Sequence, residues 1–165
     1  MRRAFVLGSL LAASLSGGAL AADAPSGEDM GASISAVQAP ARMVDRMMAY
    51  CTTKFPGDPG AALAARRWHE RNGQWEAAAS ELRAETLRQY VKTGAAANAS
   101  AFDHELDGIM DEQVDRMVAK FDAMPADTDR ASGCQRLTSA IDAGKLDAEA
   151  AFPQAMPLLR KYLKK

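Results

Sequence analysis

Four kinds of side chain in this sequence have chemistry to offer: two cysteines, two histidines, nine methionines and two tryptophans set among arginines. Cys51 closes the stretch Met43-Val44-Asp45-Arg46-Met47-Met48-Ala49-Tyr50-Cys51, and Cys134 lies in Ser132-Gly133-Cys134-Gln135-Arg136-Leu137. Each falls on the apolar face of a predicted helix. Two cysteines allow one pairing, and we expect the chain to form it. A bonded pair leaves no thiol for nucleophilic catalysis.

The histidines do not build a motif. His69 and His104 each precede a glutamate, but Gly73 and Gly108 stand where His-Glu-x-x-His needs its second histidine. Arg66 and Ala101 stand where a di-iron bundle needs Glu-x-x-His. Asp103-His104-Glu105-Leu106-Asp107 reads as a solvated helix start. No Cys-x-x-Cys-His attaches haem and no Gly-x-Ser-x-Gly offers a serine nucleophile. The expectation is therefore no catalytic residue, no metal ligand set and no cofactor.

The methionines leave two readings open. Met110, Met117 and Met124 are seven apart, and Met43 and Met47 are four apart. Thioethers bind Cu(I), yet the same spacing suits a helix core, where methionine fills irregular gaps. Core packing is the main reading and a copper site the other. Trp68 and Trp75 lie seven residues apart, with Arg66, Arg67, Arg71, Arg83 and Arg88 around them. Tryptophan and arginine are favoured interface anchors, so Trp68, Arg71 and Trp75 are the candidate partner-binding residues. A tryptophan pair at this spacing packs in a core more often than at an interface, so core burial is the main reading of the pair and partner binding the alternative.

Export frames these readings. Arg2 and Arg3 give a positive start, residues 4–15 are a short apolar run, and Ala19-Leu20-Ala21 is a small-x-small cleavage site. Residues 1–21 thus read as a secretory signal peptide, too short to span a membrane. An oxidising destination lets a disulfide persist. Without Arg2 and Arg3, 18 basic residues face 21 acidic ones, a net charge near −3. That is no footprint for nucleic acid.

The elements that must position these residues are helices. Hydrophobic content is 48%, aromatic content is 6%, and β-branched residues are sparse. Residues 22–39 read as a flexible leader, and 40–165 as the folded domain. The first helix is expected over 41–54, started by Pro40, with Met43, Val44, Met47, Met48 and Cys51 in one stripe. A long second helix spans 59–93, with Leu63, Trp68, Trp75, Ala79, Leu82 and Thr86 inward. Asn72-Gly73 either ends it midway or is tolerated. Ser100 caps a third helix over 101–123, with Phe102, Leu106, Ile109, Met110, Met117, Val118 and Phe121 on one face. Thr128 caps a fourth over 129–143, carrying Cys134 inward, and a short C-terminal helix follows Pro157. Short connections favour antiparallel neighbours. The end of the first helix then lies beside the start of the fourth, where the two cysteines are. The bond closes a loop of about 84 residues, worth roughly 4–5 kcal/mol in the chain-entropy model.

Signal peptide, Tyr50-Cys51-Thr52-Thr53-Lys54-Phe55-Pro56, Trp68-His69-Glu70-Arg71-Asn72 and the late Cys134 together resemble a loose group of uncharacterised small exported helical proteins of proteobacteria. The resemblance covers most of the mature chain and implies a periplasmic home and no established activity. The expected fold is an all-α, antiparallel four-helix bundle with one disulfide. The expected function is non-enzymatic binding of an unknown protein partner, as an immunity, inhibitor or chaperone-like factor. The runner-up is a soluble periplasmic carrier of copper or a small ligand.

Overall fold

The computed structural model describes residues 26–163, and the expected signal peptide lies outside them. The described residues form helices and no strand: α1 (Gly27–Lys54), α2 (Gly60–Lys92), α3 (Ala96–Asp122), α4 (Asp127–Asp142), the short α5 (Ala148–Ala151) and α6 (Met156–Leu159), and a closing 3₁₀ turn (Arg160–Tyr162). Among them no helix is long and apolar enough to cross a membrane. Cys51 and Cys134 are bonded, with their Cα atoms 5.8 Å apart, within the ordinary span of a disulfide.

The flexible leader is overturned from Gly27 onward. Ser26 and Asp29 form a reciprocal capping box: Asp29 N donates to Ser26 Oγ, and Ser26 N donates to Asp29 Oδ2. Two of the orphan donors at the helix start are thereby satisfied. Ile34 and Val37 then bury one face of a turn rich in alanine and serine. The composition resembled a leader because small residues carry little hydrophobic signal, yet they let α1 approach its neighbours closely. Pro40 consequently sits inside α1 rather than at its start, and it is buried. It has no N–H to give the Ala36 carbonyl, a cost offset by packing along the helix.

The long second helix does not break at Asn72-Gly73. Asn72 is turned inward, 1% exposed. Its amide donates to the Trp68 carbonyl (2.9 Å) and to Asp147 Oδ1 (3.1 Å), and its oxygen accepts from Ala148 N (2.8 Å). A residue that looked like a helix stop is the cap of another helix. Leu63 and Ile109, expected inward, are 44% and 46% exposed. Ala61 and Ala64 take the buried stripe of α2, and Leu106, Met110 and Val114 that of α3. α3 begins ahead of Ser100 because the alanine-rich run after Gly94 favours helix strongly. Gly94 itself, at φ +77°, makes the left-handed turn that ends α2. Likewise α4 starts at Asp127 rather than after a Thr128 cap.

Two apolar clusters fill the interior. One lies around the disulfide, with Val44, Met47, Met48, Trp68 and Ile141. The other joins Ile34, Val37, Trp75, Leu82, Met110, Met156 and Leu159. α3 is fastened across α1 and α2 by charge: Arg83 reaches Asp103 (2.6 Å), Asp107 (2.8 Å) and the Gln38 amide oxygen (3.0 Å). Arg42 also pairs with Asp107, and Arg46 with Asp115.

Candidate functional site

Of the residues singled out for partner binding, the two tryptophans are not at a surface. Trp68 is 0% and Trp75 5% exposed. The Trp68 indole N–H donates to the Leu146 carbonyl (2.9 Å). Arg71 is exposed along its length, but its guanidinium grips Asp147 (2.8 and 2.9 Å) and the Ile141 carbonyl (2.5 Å). The pairing holds the Asp147 carboxyl below its usual value, against the opposing effect of burial, and the Asn72 bond adds to it. Trp68, Arg71 and Asn72 therefore clamp the turn between α4 and α5 onto α2. The sequence singled out Trp68 and Arg71 together with Trp75, took Asn72 only as a possible helix break, and left the chain's own 141–148 turn unseen as their object.

That clamp builds the wall of a chamber. Leu146, Ala151 of α5 and Phe152 just after it stand opposite Ala39, Pro40 and Met43 of α1 and Val114 and Met117 of α3. The volume of this half-open chamber is about 220 Å³, with Gln113 its one polar side chain among the described residues. A wider groove of about 740 Å³ along the first turns of α1 adjoins the chamber and shares Ala39, Gln113 and Phe152 with its lining. The groove's floor is Ala32, Ser35, Ala36 and Ala39, and its far wall is the α5–α6 segment and Lys161. Among the described residues, the charged ones on it are Asp29 and Lys161. Asp29 is committed to the capping box, and its bonds from Ser26 hold its carboxyl below the usual value. Lys161 forms no ion pair among the described residues; its neighbour Arg160 pairs with Glu149 (2.6 Å).

The methionines divide. Met47, Met48, Met110 and Met156 are buried in the two clusters, whereas Met43 and Met117 line the chamber. His104 is exposed at the surface of α3. His69 sits between two carboxylates, its Nε2 2.8 Å from Asp45 of α1 and its Nδ1 3.0 Å from Glu76. Its ring meets Trp68 edge-on. Among the described residues no three His, Cys, Asp or Glu side chains converge as metal ligands. The chamber was not foreseen. Its one sequence signal is that Pro153 and Pro157 break the last segment into pieces too short to cover α1.

No family model, no curated protein and no solved structure matches the chain.

Proposed function

We propose that this chain is a non-enzymatic binding protein of the periplasm whose guest is an apolar group held in the chamber between α1, α3 and α5. The chamber is the observation that carries the reading. Its walls are apolar, its polar groups are few, and its α5 wall is held in place by side chains from α2. These are the marks of a formed ligand site. The carrier reading now leads. The residues that favoured a protein interface are otherwise engaged, Trp68 and Trp75 in the core and Arg71 on Asp147. We read the four long helices as an antiparallel bundle, with the C-terminal segment laid over the outside of α1 to make the site. A disulfide agrees with an exported destination, and membership of the small exported helical proteins fits the same reading.

The test is native mass spectrometry of protein recovered from the periplasm, beside uptake of a solvatochromic apolar dye by the stripped protein. Dye uptake abolished by Ala151→Phe, which fills the chamber, supports the reading. Uptake indifferent to that change overturns it. Protein binding stays as the second reading because the groove is open along its length. A photo-crosslinking residue at Gln113 that captures one discrete protein would favour it.

A further inference from the structure

We infer that the chamber and its groove bind a single-chain amphiphile, a free medium-chain carboxylate, with its tail in the chamber and its head toward Lys161. The inference rests on the guest reading above and names the guest's chemistry. Three observations carry it.

The first is size. A cavity of about 150 Å³ takes a benzene ring, so the chamber's 220 Å³ accepts roughly eight or nine carbons by the same scale. That is small for a drug-sized ligand, whose pockets span about 300–1,000 Å³. It suits a hydrocarbon tail whose remainder continues elsewhere.

The second is continuity. Ala39, Gln113 and Phe152 border both the chamber and the groove. A tail seated against Met43, Val114 and Met117 would therefore leave the chamber beside Gln113, at the edge of the groove. Pro40 and the two methionines present no donor or charge to it. The chamber is a poor seat for any polar group and a good one for methylenes.

The third is charge. Of the two charged side chains on the groove, Asp29 stays ionised at the start of α1 with its Oδ2 held by Ser26, and Lys161, on the far wall, has none of its donors engaged among the described residues. The ammonium is the group with donors left to give. A carboxylate is ionised at neutral pH and answers it. Since Lys161 is exposed, this pair is worth at most about a fivefold gain in affinity. The head thus sets direction, and the tail supplies binding.

The experiment is calorimetry of the processed, disulfide-bonded protein with a series from hexanoate to tetradecanoate below their micelle concentrations. Decanol and protonated decylamine serve as head-group controls. Affinity should rise about fourfold per methylene and flatten once the chamber is full, near eight or nine tail carbons by the scale above. Decanoate should exceed decanol and decylamine, and Lys161→Glu should reverse that order. Ala151→Phe and Ala39→Phe should each remove binding at least tenfold while leaving the circular dichroism unchanged. Equal binding of decanoate, decanol and decylamine overturns the head-group assignment and leaves the guest reading standing. Tail binding unmoved by both chamber variants overturns the guest reading as well. Co-sedimentation with phosphatidylglycerol vesicles, without uptake of free decanoate, overturns the free carboxylate in favour of a membrane surface.

Discussion

Arg71 holds both carboxylate oxygens of Asp147, 76 residues away along the chain. The same turn receives the Trp68 indole and the Asn72 amide. One helical stretch of α2 therefore fixes the direction in which the chain leaves α4, and with it the α5 wall of the chamber. Asn72→Ala strips Ala148 N of its acceptor, and a buried unsatisfied donor costs about 1–3 kcal/mol. The expected outcome in urea unfolding is a loss of that size, with weaker dye uptake. Leu63→Ala, an exposed change on the same helix, should alter neither.

His69 ties stability to pH. A neutral imidazole has one N–H, yet both ring nitrogens face carboxylates, Asp45 and Glu76, so the arrangement wants the doubly protonated ring. Burial works against the charge, and the bonds to Asp45 and Glu76 overcome it, raising the histidine above 6.5. With a raised folded value, the stabilisation is complete below about 6.5, the unfolded value. It is lost as pH rises through the folded value. The ring is about one-third exposed, so the gain is limited to about 1 kcal/mol or less. Urea midpoints should fall between pH 5.5 and 8.5 in the wild type, and the part due to this group should vanish in His69→Gln. Proton NMR of the His69 ring should show the titration moving down in Asp45→Asn and in Glu76→Gln.

The disulfide joins residues 83 apart. Replacing both cysteines by alanine frees the unfolded chain and should cost roughly 4–5 kcal/mol in the entropic account. Alkylation of the unreduced protein should label no thiol. Labelling of two would remove the cross-link from the fold.

Gly133 of α4 is buried, and a Cβ there would come within 2.9 Å of the Phe121 ring of α3. Alanine at a helix interior ordinarily gains about 1 kcal/mol over glycine. Here the ring already meets Tyr50 edge-on, and forcing it aside costs about 1–3 kcal/mol. Gly133→Ala should therefore lower the midpoint of thermal unfolding, whereas Gly73→Ala, with open space at its Cβ, should raise it.

The periodic parts of the chain were legible. Met47, Met48 and Cys51 on α1 and Leu106 and Met110 on α3 repeat at helical spacing and are buried as that spacing demands. The cysteine pairing followed from count and topology. What escaped was tertiary. Asn72 looks like a helix stop in sequence, and only the arrival of Ala148 beside it makes it a cap. Trp68 and Arg71 look like interface anchors because a helix face does not announce whether its partner is another protein or the same chain. The chamber is a space between three segments, and no residue within it carries a motif.

The first half of α1 offers the sharpest remaining check, because sequence composition and structure disagree about it. A flexible leader would tolerate any change before Pro40. In the fold, Ile34 and Val37 are fully buried against Trp75, Leu82 and Leu159, and the capping box starts the helix that carries them. Truncating Ile34 to alanine in a packed site costs about 2–5 kcal/mol. Ser26→Ala should cost about 1 kcal/mol through the cap alone. Ile34→Ala should also slacken the groove floor, since Ser33, Ala36 and Ala39 follow the same helix. Hydrogen exchange should find the amides of residues 30–39 protected in the wild type and fast in Ile34→Ala. Fast exchange there in the wild type itself would return this stretch to a leader and take the groove with it.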